Sequence, residues 1–300
     1  MREFLTAINV ENLIRWLTGG FPKEITFKFG IYIEKFTKWL MLNYGNIFDN
    51  ISDGILWFML RIENLLNWLP WWFLIGLVFV LGWRFYKLRN GIIFAVLFSL
   101  VGVFGLWSLM MSTLAIVITA VIISLLIGIP VGILAASSGK IDMIIKPILD
   151  AMQTMPSFVY LIPAMMLFGL GMVPAVFATI IYAIPPVIRL TNLGIRNVPQ
   201  DMVEAAHSFG SSRIQTLFKV QLPQALPSIM TGVNQTTMMA ISMVVTASMV
   251  GAKGLGMEVL QAIGQINIAR GFDAGLSIVI MAVIIDRIIQ GLVNKTQVPQ

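Results

Sequence analysis

The chain has no cysteine and a single histidine, His207, among its 300 residues. Disulfides and thiolate metal sites are excluded, and a histidine-based metal site has almost nothing to draw on. Charge is scarce as well: Asp, Glu, Lys and Arg make up 11% of the residues, against 58% hydrophobic ones. A water-facing domain carries about a quarter charged residues, so these few cannot cover a globule of this size. A surface against acyl chains needs no such cover.

A phosphate-binding loop is also missing. The one Gly-Lys pair, Gly139-Lys140, has Leu134 where the first glycine of a Walker A loop belongs and Ile141 where its hydroxyl belongs. Any ATP chemistry must reside on another chain. Paired carboxylates within the apolar runs are absent too, Asp286 lying near the end of the last one. That removes the usual apparatus of intramembrane proteolysis and of proton-coupled transport. His207 falls in an exposed loop and is given no direct role. Glu3, Glu11 and Gly19-Gly20 interrupt any apolar run at the start, so a cleavable signal peptide is not expected there.

What remains is helical apolar sequence. Residues 1–65 mix bulky apolar groups with seven Lys/Arg and seven Asp/Glu at helical spacing. They read as amphipathic helices that lie at the headgroup layer or outside it, or else pack against the rest of the chain. Two leading spans are expected within 66–109, near 69–86 and 91–109. Five more follow near 111–136, 154–170, 173–190, 226–250 and 275–293. Each is near the roughly 20 helical residues that cross a ~30 Å hydrocarbon layer. The fourth and fifth are short enough to form a re-entrant pair, and Pro185-Pro186 is expected to break the fifth.

The fold class is therefore all-α and integral to a membrane, with about seven transmembrane helices. The net charge of +6 forms no single basic patch, so nucleic acid is not an expected partner. Eleven Lys/Arg flank the spans on one side, against Lys253 and Arg270 on the other. The positive-inside rule then places the C-terminal tail, 294–300, in the cytoplasm and the N-terminus outside. The spans do not divide into two similar halves, so a symmetric pathway needs a second copy or a related chain.

The loop 198–224 is the most informative segment. Pro199 suits a first helical position, Asp201 complements the helix dipole, and Gly210 suits a left-handed stop. Ser211 or Ser212 can cap a second helix, expected to end near Pro223. On the first helix Met202, Ala205, Ala206 and Phe209 share a face, small enough at its alanines for close approach by a partner.

The series Glu204, Ala205, Ala206, Gly210, Val220, Leu222, Pro223 resembles the EAA loop of ABC importer permeases, with valine at 220 where isoleucine is usual. The likeness extends over about 110–293, including Pro147 to Pro156, Phe158 to Pro163 and Met249 to Gly256. In that stretch it is similar to permeases of glycine betaine and proline betaine uptake systems. The resemblance implies a type I ABC importer permease core, in a bacterial cytoplasmic membrane, that does no chemistry of its own. Its implied partners are two ATPase subunits carrying ATP and magnesium, a second permease copy, an extracellular substrate-binding protein and membrane lipid. No cofactor is expected on this chain. The seven loop residues would transmit ATPase closure to the spans.

Polar groups inside spans tend to face a wet path or another helix. Asn234, Gln235, Thr236, Thr237, Ser242 and Thr246 are candidates for lining the route, with Gln153 and Thr154 beside them. Another small solute, such as choline, carnitine or an amino acid, fits the same pattern, as does an ATP-independent channel whose hairpin serves only assembly.

Overall fold

The computed structural model describes residues 29–296. The helices expected within 1–28 and the tail residues 297–300 lie outside them. Every described element is helical, and no strand occurs among the described residues. The chain divides at Gly45/Asn46 into two compact units.

Helix α1 spans Phe29–Trp68 and leaves helical geometry at Tyr44 (φ −128°, ψ 17°), beside that division. In its first part Phe36 and Trp39 are exposed and stacked, with ring centroids 6.1 Å apart, an aromatic face of the expected amphipathic kind. Beyond Asn46 the same helix packs into the bundle. Met59 is 1% exposed and sits in a core cluster with Ala115, Ala164, Ala175 and Val250. Ser112 Oγ donates to Glu63 Oε1 at 2.5 Å. This part of the amphipathic region is thus a packed helix.

Pro70 has no N–H to continue α1, and the chain turns by 96° there. Helices α2 (Trp71–Phe85) and α3 (Leu88–Val103) follow as a hairpin. Then come α4 (Trp107–Ser137), α5 (Gly139–Thr154) and, after a 3-10 turn at Ser157–Tyr160, α6 (Leu161–Phe168). Met155 and Pro156 bend the chain by 111° between α5 and the turn before α6, so the expected fourth span at 154–170 is a short return segment.

Helix α7 (Met172–Arg196) is the axis of the bundle, with 72% of its apolar window buried. Pro185 and Pro186 do not break it, contrary to the sequence expectation, and it runs on to Arg196. Neighbouring helices α4 and α10 hold it on both sides, which lets a proline-containing helix stay continuous in a bundle. After it come α8 (Gln200–Ser208), α9 (Arg213–Thr216), a π turn at Leu217–Gln221, α10 (Leu222–Ser242), α11 (Val244–Ser248), α12 (Leu255–Gln265) and α13 (Ile268–Thr296).

Among the described residues, α4, α7 and the 268–293 part of α13 are each long and apolar enough to cross a membrane. The count rises to five if each bent pair forms one span. At 15 and 16 residues, α2 and α3 reach only ~22–24 Å. Helix α10 has the length but not the composition, because Asn234, Gln235, Thr236 and Thr237 sit at its middle. Its packing against α7, α4 and α13 covers that polarity.

Backbones meet closely where α7 crosses α10. A Cβ on Gly194 would lie 2.8 Å from Ser228 Cβ and 3.2 Å from Ala225 Cβ. We expect Gly194→Val to cost about 1–3 kcal/mol through overpacking and to lower the melting temperature of the purified protein in detergent. An unchanged melting temperature would contradict this crossing.

Candidate functional site

The hairpin between α7 and α10 is built from local signals. Gly210 has φ +79°, the left-handed conformation that a side chain disfavours. Its N–H bonds His207 O at 2.9 Å, and Ser211 N–H bonds Ala206 O at 3.1 Å. This pair of bonds is a Schellman motif. Ser212 then opens α9 with a capping box: Gln215 N–H donates to Ser212 Oγ at 3.3 Å, and Ser212 N–H donates to Gln215 Oε1 at 2.8 Å. Ser211 Oγ reaches Ala206 O and Thr216 Oγ1, both at 2.7 Å, tying the two arms together. His207 Nδ1 lies 3.1 Å from Ser211 O, a bond within the turn.

The second arm does not end near Pro223 as expected. Leu222 N–H reaches back to Leu217 O, closing one π turn, and the chain continues into α10 with Pro223 in its first turn. The hairpin's second arm is therefore joined to α10 by continuous helix.

No residue of α8 is buried. Phe209 is 93% exposed, Ile214 71% and Phe218 62%, with Met202 at 39%. Four large apolar side chains of a well-capped hairpin are thus left exposed. Ala206, Phe209, Gly210 and Val220 come together around a hollow of about 420 Å³, so motif positions fourteen residues apart share one surface. Glu204 accepts from Gln200 Nε2 at 3.1 Å, and Ala205 is exposed.

The hairpin leaves a charged anchor. Asp142, buried on α5, accepts from Asn192 Nδ2 at 2.7 Å and pairs with Lys146 at 2.8 Å and Arg196 at 3.4 Å. Arg196 also donates to Asn192 Oδ1 and to Ala135 O, each at 2.8 Å. One cluster thus joins the ends of α4, α5 and α7 just before Pro199. The Lys146 ammonium, supported by Asn192 and Arg196, holds the Asp142 carboxyl below its usual range against the opposing effect of burial.

The polar candidates inside the bundle separate. Gln153 and Gln235 line one cavity of about 520 Å³. Asn234 Nδ2 instead donates to Asp286 Oδ1 on α13 at 2.9 Å. Thr237 is buried against its own helix, bonding Val233 O, and Thr236 is buried with its hydroxyl unpartnered. Ser242 and Thr154 are exposed and bond their own backbones at Met239 O and Ala151 O. Thr246 is half-buried. Asp142, Asp150, Arg189, Asn192 and Arg196 also line the cavity. None of these was singled out from the sequence as lining a route, Arg189 and Arg196 having served only as markers of orientation.

Residues 128–297 match the family model described as binding-protein-dependent transport system inner membrane component. The chain belongs to that family. This permease therefore works in a membrane with a substrate-binding protein and a separate ATPase, and is not itself an enzyme. It is 45% identical over 264 residues to the glycine betaine transport system permease protein OpuAB of Bacillus subtilis, covering 88% of this chain and 93% of that one. It is also 45% identical over 284 residues to the glycine betaine/carnitine transport permease protein GbuB of Listeria monocytogenes, covering 92% and 99%. Its fold is shared with the MetNI methionine ABC transporter in inward-facing form, at a TM-score of 0.58 and 22% identity over 62% of this chain and 94% of that one.

Proposed function

We propose that this permease imports a betaine-type compatible solute, driven by ATP hydrolysis on two partner subunits that grip the α8–Gly210–α9 hairpin. Two permease copies would enclose the route, with the hairpins and C-termini in the cytoplasm, the N-termini outside and a binding protein delivering solute from that outer side. The observation that supports the coupling role is the exposure of Met202, Phe209, Ile214 and Phe218 on a hairpin whose Ala206, Phe209, Gly210 and Val220 line one hollow. The solute assignment is supported by the relatives that transport glycine betaine. ATP and magnesium would act on the partner. ATPase closure would draw two hairpins together and, through the unbroken path into α10, reverse the side on which the bundle opens.

The test is uptake of labelled glycine betaine into proteoliposomes holding the permease, its ATPase and its binding protein. We expect uptake that requires ATP on the ATPase side and that excess unlabelled betaine abolishes. ATP-dependent transport of other solutes alone would reject the substrate. Equal flux without ATP would reject the coupled mechanism in favour of a channel.

A further inference from the structure

The 520 Å³ cavity is a groove between α5 and α7 with Gln235 of α10 at its side. From Pro186 to Arg196 it follows about 15 Å of α7, from the middle of the bundle to the hairpin end. Its polar groups form three levels. Farthest from the hairpin are the amides of Gln153 and Gln235, both on exposed residues. Next is the ion pair between Asp150 of α5 and Arg189 of α7. At the hairpin end is the Asp142 cluster.

The two charged levels differ in kind. Asp142 has a side chain 9% exposed and three polar partners, so opening it would strand a buried carboxylate. The Asp150 and Arg189 side chains are 65% and 39% exposed, and a pair that open contributes only about 0–1 kcal/mol. It separates readily.

We propose that the groove is the exit route for a zwitterionic solute, and that Asp150 and Arg189 part to hold its cationic and carboxylate ends. Entry of a zwitterion exchanges one ion pair for two without changing the net charge of the groove. A quaternary ammonium donates no hydrogen bond and needs only a carboxylate at close range, which Asp150 offers. The guanidinium of Arg189 suits a carboxylate through its fork of donors. Among the described residues no aromatic side chain lines the groove, and ring faces are what hold such cations tightly. Weak holding suits a site that must release its load. A cation without a carboxylate would leave Arg189 unmatched.

This inference rests on the betaine-importer reading and is tested separately from it. Uptake and binding-protein-stimulated ATP hydrolysis are measured in proteoliposomes for wild type, Asp150→Asn, Arg189→Gln and the double variant. If each side chain meets a different end of the solute, the losses multiply: about tenfold for each single variant and about a hundredfold for the double, with stimulated hydrolysis retained. If the two side chains serve only to strap α5 to α7, the double variant loses no more than either single one, which overturns the proposal. Wild-type uptake in all three variants overturns it as well, as does loss of stimulated hydrolysis along with uptake. Repeating the cycle in anionic vesicles free of phosphatidylcholine separates a solute from a zwitterionic lipid headgroup, since only a headgroup's effect would vanish there. Absence of betaine uptake by wild type would instead reject the importer reading, and the proposal with it.

Discussion

Replacing Gly210 by valine is expected to reduce solute uptake by about tenfold or more while ATP hydrolysis continues. The glycine stands at φ +79° with nothing within 4 Å of where a Cβ would lie, so the effect comes from backbone conformation and not from a clash. A β-branched residue is strongly disfavoured there, and escape from the left-handed region breaks the bonds to His207 O and Ala206 O. The Ala206–Phe209 face then shifts against Gln215, Lys219 and Val220 across the hollow. The turn lies outside the buried bundle, so insertion and melting temperature should hold. Asparagine tolerates the left-handed conformation better, and Gly210→Asn should keep most of the uptake. Paired measurement of uptake and hydrolysis in proteoliposomes checks this. Coupled transport at the wild-type rate in Gly210→Val would remove the turn from the mechanism.

The second large effect is expected at Asp142. Asp142→Ala removes the carboxylate that Asn192, Lys146 and Arg196 share. Breaking a buried pair from one side costs up to about 3–5 kcal/mol. Lys146 and Arg196 reach solvent and soften the loss, so about 1–3 kcal/mol is expected. The sign with pH follows from the lowered carboxyl pKa. Its stabilisation is fully present above the ordinary value of 3.8 and fades as pH falls through the lower folded value. The stability gap between wild type and Asp142→Asn should therefore be widest near neutrality and close only below that range. A gap that widened on acidification would contradict the network. Since the cluster ties three helix ends beside the hairpin, both variants should also weaken transport at neutral pH.

The hairpin was legible in the sequence because local chemistry fixes it. A left-handed glycine and a serine cap act within a few residues, and the structure realises them with the Schellman motif and capping box, while Pro199 stands one position before the expected one, at the N-cap of α8. Helix limits were less legible where neighbours decide. Pro185 and Pro186 read as a break, yet α4 and α10 keep α7 intact. Pro223 read as a stop, yet the chain passes through a π turn at Leu217–Gln221 and runs on past it as α10. Hydropathy placed a span at 154–170, yet the chain bends at Met155-Pro156, at its start, since a window average does not register a local bend.

The polar residues divide on the same ground. Periodicity cannot say whether Asn234 faces a path or Asp286, fifty-two residues away. Arg189 and Arg196 on α7, with Asp142 and Asp150 on α5, gain their meaning from the antiparallel contact of two helices. In sequence the two arginines counted only toward orientation and the two aspartates toward nothing, so their pairing stayed hidden.

The central claim is that the ATPase grips the hairpin. The natural absence of cysteine allows a single thiol to be placed without altering any native one. Ala205→Cys and Phe209→Cys on the hairpin, and Ile266→Cys on the exposed turn between α12 and α13, would be treated with a short bismaleimide in complexes whose ATPase bears one cysteine near its permease-facing groove. The account predicts capture of the ATPase from positions 205 and 209, with a pattern that changes when ATP is bound, and none from 266. Capture from 266 with none from the hairpin would contradict both the coupling site and the orientation of the chain.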